Sequence, residues 1–179
     1  NVLRPRAIFI DNDQNLLFQI ELRNNPFVLM KNGQAIDTLT HSMPFTVPLL
    51  KMSPDGDVIW HTGLPFVSNI KFDAANNFYA TSTANGIAQF YSVGNPTPDT
   101  LDTENRARCH VTKYNENGQF QWVMSSGTIG PPSFHPTAIR DIYVDDNGSS
   151  YISGANSCIV DSYQQEFYNT DSSILSLNR

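Results

Sequence analysis

The hexapeptide Lys113-Tyr114-Asn115-Glu116-Asn117-Gly118, closed by Trp122, echoes Lys51-Met52-Ser53-Pro54-Asp55-Gly56, closed by Trp60. The step from Lys51 to Lys113 is the same as that from Gly56 to Gly118 and from Trp60 to Trp122. An identical step carries Asp11-Asn12-Asp13-Gln14-Asn15 onto Asp73-Ala74-Ala75-Asn76-Asn77. Self-similarity at a fixed period marks a repeat array, in which no unit buries its apolar face alone and stacked neighbours make the core. Asp11 to Lys51 and Asp73 to Lys113 are equal intervals, so the units match internally as well as in spacing.

Outward from these anchors the chain reads as all-β. Short apolar runs are punctuated by Asn32-Gly33, Pro54-Asp55-Gly56, Asn76-Asn77, Asn117-Gly118 and Asn147-Gly148. Asn and Gly accept the positive φ of tight hairpin turns, so this punctuation predicts antiparallel strands. A first strand at residues 7–10, 69–72 or 141–144 runs into Asp11, Asp73 or Asp145, and a second follows at 16–20, 78–82 or 150–153. After a variable polar stretch comes a third strand at 49–52 or 111–114, a Gly turn, and a fourth at 58–60 or 120–122. Ile174-Leu175-Ser176-Leu177-Asn178 matches the start of a third strand and puts Ser176 at the Lys station, closer to Asp145 than either lysine is to its own Asp. The segment 27–36, with its Asn32-Gly33 turn, predicts an additional hairpin that a four-strand unit does not place.

Four antiparallel strands per repeat is the pattern of a β-propeller blade. The expectation is one propeller segment over residues 1–179, with units at 7–62, 69–124 and 138–179, the last incomplete. About three blades form a partial or open propeller, because rings close with roughly four to eight. Closure is expected from further blades of a longer chain or from other copies, since bare strand edges and faces are a liability.

Bulk properties narrow the function. Lys plus Arg total 11 against 17 Asp plus Glu, a net charge of −6, which removes the electrostatic basis of nucleic-acid binding. No apolar run is long enough to span a membrane as a helix. The chain begins at Asn1 rather than Met, as a processed chain or a fragment would. Cys109 and Cys158 have no metal-ligand spacing, and burial of thiols in strands is favoured over a disulfide. Asn147-Gly148-Ser149 is a sequon, but it falls where a hairpin turn is expected. Abundant Asn and scarce Lys fit a secreted or cell-surface setting better than a cytosolic enzyme.

Residues 111–122 resemble the F-V-x-K-Y-x-x-x-G-x-x-x-W hairpin of bacterial SBBP-type β-propeller repeats. Residues 142–154 resemble that family's V-D-x-x-G-N-x-Y-V-x-G element, which NHL-type propellers share. The likeness covers most of residues 48–154. Asp73-Ala74-Ala75-Asn76 departs from it by lacking the turn Gly, and Ser176 by replacing Lys. The resemblance implies a scaffold or surface-binding propeller, often secreted or envelope-associated, and no active site.

The residues that look chemical each have a structural reading. Trp60 and Trp122 recur at one station and are expected to fill the space between neighbouring units. Lys51 and Lys113 recur as well, and a catalytic lysine needs no duplicate; an ion pair or a packed stem is expected. Asp11-x-Asp13-x-Asn15 has the alternation that opens a calcium loop, but the sixth position is Leu16 and the twelfth is Leu22. An Asp that caps its own turn is favoured. His41, His61, His110 and His135 lack paired spacing, so no metal site is predicted. A set of Ser125, His135 and Asp145 would be an arbitrary choice among many.

The period breaks in one place. The stretch from Trp122 to Asp145 is much longer than that from Trp60 to Asp73, the extra length falling within residues 127–136. Pro131, Pro132, Phe134 and His135 of this stiff loop are the candidate ligand- or partner-binding residues, and residues 94–108 form a second polar loop. Loops on rigid scaffolds carry binding residues disproportionately, although insertions also accumulate where they do no harm. The expectation is therefore a non-enzymatic, cofactor-free interaction or scaffold module that binds protein or glycan partners or contributes to an assembly. One alternative is a propeller-type lyase or hydrolase, which needs a unique cluster of His, Glu or Asp at the central channel. The other is a filament subunit whose open blade edges pair with neighbours.

Overall fold

A computed structural model describes residues 2–23, 26–39, 46–65, 67–103, 108–128, 139–146, 148–154, 158–162, 165–167 and 174–177. For residues 2–4, 22–23, 46–47, 126–128 and those from 158 onward, the backbone alone is described. Every helix or strand among them is a strand. The first unit comprises β1 (Val2–Ile10), β2 (Leu16–Arg23), β3 (Phe27–Lys31), β4 (Gln34–Leu39), β5 (Thr46–Met52) and β6 (Val58–Pro65). The second comprises β7 (Val67–Phe72), β8 (Phe78–Ala84), β9 (Ile87–Phe90), β10 (Asp99–Asp102), β11 (Arg108–Tyr114) and β12 (Phe120–Thr128). The third comprises β13 (Ile139–Val144), β14 (Ser150–Gly154), β15 (Cys158–Ser162), β16 (Gln165–Phe167) and β17 (Ile174–Leu177).

The main strands pair antiparallel in the order the repeat predicts. Sheet one is β1-β2-β5-β6, sheet two contains β7-β8-β11-β12, and sheet three is β13-β14-β17. Their registers coincide station by station. Ile10 faces Leu16, Phe72 faces Phe78 and Val144 faces Ser150, with bulges between Pro5 and Ala7, Val67 and Asn69, and Ile139 and Asp141. Lys51 faces Trp60 and Lys113 faces Trp122, and each pair is followed at once by a bulge. Leu17 pairs with Lys51, Tyr79 with Lys113 and Tyr151 with Ser176, so Ser176 does stand at the Lys station.

The turns explain why these sequences fold alike. Gln14, Asn76 and Gly148 share one left-handed position, with φ of 66, 60 and 79°. That conformation is costly for most side chains, which is why Gly and Asn recur in such turns. Asp11 Oδ1 accepts the N–H groups of Asp13 and Asn15, and Asp73 Oδ1 those of Ala75 and Asn77. Asp145 Oδ1 likewise accepts the Ser149 N–H at 2.8 Å. Each carboxylate thus satisfies the loop it begins, as an Asx turn does.

The polar stretch between the second and third strands is not irregular. It holds an inserted hairpin in every unit: β3–β4, β9–β10 and β15–β16. The four-strand unit of the sequence is therefore incomplete, and residues 94–108 include the strand β10 rather than loop alone. The hairpin expected around Asn32-Gly33 is β3–β4, and it packs Phe27, Leu29 and Leu39 against Ile20 and Leu50 of sheet one. The next hairpin reaches back to the preceding unit. The Tyr91 N–H donates to the Gly63 carbonyl at 3.3 Å, and Thr62 Oγ1 to the Tyr91 carbonyl at 2.8 Å. In the third unit the contact becomes full pairing: β15 joins β12 and extends sheet two to six strands.

Two apolar layers hold the sheets face to face. Leu17, Leu49, Trp60 and Leu64 of the first unit meet Ile70, Phe78, Phe90 and Tyr114 of the second. Trp60 stacks on Phe78 at 5.9 Å and Phe78 on Tyr114 at 4.9 Å. The next layer joins Tyr79, Val111 and Trp122 to Ile142, Val144 and Ile152. Both tryptophans thus lie between neighbouring units. Burying such large rings supplies much of the stacking energy, at about 25 cal/mol per Å² of apolar area. The described residues form several antiparallel sheets and no closed ring.

Candidate functional site

The recurring polar residues are occupied in packing. Lys51 Nζ lies 2.8 Å from Asp11 Oδ2, with the side chains 8% and 1% exposed. Burial works to raise the Asp11 pKa, but hydrogen bonds from Lys51 and Asn15, together with the Lys51 charge, hold it below the ordinary value. Trp60 Nε1 donates to the Glu116 carbonyl of the next unit at 3.1 Å, and Lys51 Nζ to the same oxygen at 3.5 Å. The counterpart Lys113 is looser, 3.9 Å from Asp73 Oδ2 and 4.9 Å from the centre of the Tyr79 ring. Adjacent turns are also tied: Asn12 Nδ2 donates to the Asp73 carbonyl and Asn76 Nδ2 to Asp13 Oδ2.

Pro131, Pro132, Phe134 and His135 lie outside the described residues, as do His41 and the sequon residue Asn147. The set of Ser125, His135 and Asp145 has only two described members, one in β12 and one in a turn. Cys109 is buried with its Sγ 3.8 Å from Thr83 Oγ1, and the side chain of Cys158 lies outside the described residues. His61 sits 3.4 Å from Asp37. Among the described residues no cluster of three His, Cys, Asp or Glu is placed to hold a metal ion. No helix long and apolar enough to cross a membrane is found among them either.

One histidine has a sharper identity than the sequence suggested. His110 is fully buried, with Ser82 and Ser125 opposite it on the flanking strands. Neither ring nitrogen has a hydrogen-bond partner among the described residues. Burial, helped by the nearby Arg108 charge, pushes its pKa down to about 4. At neutral pH the ring is an uncharged core element, packed edge-on to Phe90 at 6.3 Å.

A groove of about 420 Å³ opens on sheet three. Tyr143 and Tyr151 form its aromatic wall, with ring centres 5.9 Å apart, and Tyr143 is 64% exposed. Ile152 and Ser153 line the groove beside them, and Asp141 and Asp145 bring carboxylates. Asp141 Oδ1 is already engaged by Asn69 Nδ2 at 2.5 Å and by the Ile142 N–H at 2.9 Å. Tyr151 Oη lies 3.5 Å from Asp145 Oδ2. Flat aromatic faces with polar tips suit contact surfaces, where one end stays dry and the other wet. In the sequence these tyrosines look like ordinary strand residues. The available signal was the alignment of Tyr151 with Tyr79, whose counterpart face is covered.

Fold and groove together define a class: an all-β array of antiparallel repeat units. Compared with known proteins, the chain matches no family model, no curated protein and no solved structure.

Proposed function

We propose that the units are blades of β-propeller type and that the chain is a non-enzymatic interaction and scaffold module of a secreted or cell-surface protein. The observation that carries this reading is duplication. The Asp–Lys pair and the tryptophan recur at matching stations and are consumed by packing between or within units. The resemblance of residues 111–122 and 142–154 to SBBP- and NHL-type repeats fits the same reading. The meander of four main strands in the first two units and the face-to-face stacking support the blade assignment. The groove beside Tyr143 and Tyr151 is the contact surface for a protein or glycan partner.

The test sets this reading against the lyase or hydrolase alternative. Chromogenic esters, glycosides, peptides and a polyuronate are incubated with the purified chain and with the Asp145→Asn variant. The reading predicts no turnover above buffer for either. Turnover by the wild-type chain that Asp145→Asn abolishes would contradict it and establish an enzyme.

A further inference from the structure

The two internal interfaces serve as templates for the outer faces of the array. Ile8, Ile70 and Ile142 occupy one station of the first strand, but their exposures are 56%, 2% and 1%. Ile10 and Val144 share the next station, at 57% and 9%. In the second and third units these side chains are buried against the unit before them. In the first unit Ile8 and Ile10 on the outer strand have no preceding unit over them, whereas Ile20 and Leu50 of the same sheet lie under the β3–β4 hairpin.

The opposite end shows the complementary surface. Leu17 and Tyr79 share a station with Tyr151 and are 1% and 0% exposed, because the following unit covers them. Tyr151 is only half-buried and opens onto the groove. Tyr79 Oη lies 3.1 Å from the Gly148 carbonyl of the following turn as well as 3.4 Å from Asp73 Oδ2. Tyr151 Oη has the corresponding contact with Asp145. The counterpart of Gly148 in the first unit is Gln14, an exposed turn residue with the same left-handed backbone.

We infer that a second copy of this chain docks head to tail, its Ile8 and Ile10 seated in the groove walled by Tyr143 and Tyr151. The Gln14 carbonyl of that copy then lies beside Tyr151 Oη as the Gly148 carbonyl lies beside Tyr79 Oη. The contact is heterologous, since one face of each copy meets the other face of the next, so it propagates to a ring or a filament. It rests on the reading of the chain as an interaction module and names the occupant of that groove.

The test uses the whole chain and two single variants at exposed positions, Ile10→Glu and Tyr143→Glu, each followed by sedimentation over a concentration series. The wild-type chain is expected to form concentration-dependent oligomers. Each variant alone is expected to remain monomeric, having lost one of the two mating faces. Mixed in equal amounts, the variants retain one sound face each and are expected to give a dimer of twice the monomer mass. A wild-type chain that stays monomeric overturns the inference and assigns both faces to other occupants. Variants that assemble as the wild type does, or a mixture that stays monomeric, overturn it too. None of these outcomes bears on turnover, so the interaction-module reading stands or falls separately.

Discussion

Lys51 Nζ sits 2.8 Å from Asp11 Oδ2 inside the first interface, whereas one repeat later Lys113 lies 3.9 Å from Asp73 and its side chain is 20% exposed. One repeated ion pair thus occurs in a dry setting and in a wetter one. Removing one member of a buried pair leaves an uncompensated charge, at a cost of about 3 kcal/mol, whereas exposed pairs contribute about 1 kcal/mol or less. Lys51→Ala is therefore expected to destabilise the chain more than Lys113→Ala in urea unfolding at neutral pH. The Asp11 pKa is lowered by folding, so this stabilisation is present above the ordinary value of 3.8 and is lost as pH falls below it. The gap between Lys51→Ala and the wild type should narrow in that acid range.

Gly56 and Gly118 separate backbone strain from packing between units. Both are left-handed, with φ of +83 and +72°, so Ala at either position bears a similar cost of about 1 kcal/mol. A Cβ at Gly56 meets nothing within 4 Å, but one at Gly118 meets Val93 Cγ2 at 2.5 Å and the Trp60 ring at 3.2 Å. Gly118→Ala is expected to cost a further ~1–3 kcal/mol, the usual range for overpacking. Equal midpoints for the two variants in thermal or urea unfolding would contradict the place of Trp60 against the second unit.

His110 gives the fold an acid-sensitive core. Its folded pKa of about 4 lies below the ordinary value of 6.5, so the unfolded chain takes up the proton first. Its contribution is complete above pH 6.5 and is lost as pH falls toward 4, about 3 kcal/mol across that window. His110→Leu removes the titration while keeping an apolar volume. The wild-type chain is expected to lose more stability than this variant between neutral pH and pH 4, as urea titrations at a series of pH values would show.

Much of this architecture was legible in the sequence because the turns carry it. Asp11, Asp73 and Asp145 each close their own loop, and Gly56 and Gly118 hold matching left-handed positions. A repeated turn transmits a repeated register, so even Ser176 could be placed at the Lys station, where it pairs with Tyr151. The inserted hairpins were not legible beyond β3–β4. Asp99–Asp102 is very short and largely exposed, without apolar alternation to mark it. The pairing of β15 with β12 depends on contacts between units that no local pattern records. The groove was hidden for the same reason: Tyr143 and Tyr151 differ from their repeat mates in what covers them.

Each sheet covers the first strand of the next, and thiol accessibility reports that cover. In a background lacking Cys109 and Cys158, the variants Ile8→Cys, Ile70→Cys and Ile142→Cys report the same station in three units. Labelling is done in dilute solution, where copies are apart. Ile8→Cys is expected to react at the rate of a free thiol, and Ile70→Cys and Ile142→Cys only after unfolding. Equal labelling rates at the three positions in the folded chain would contradict it.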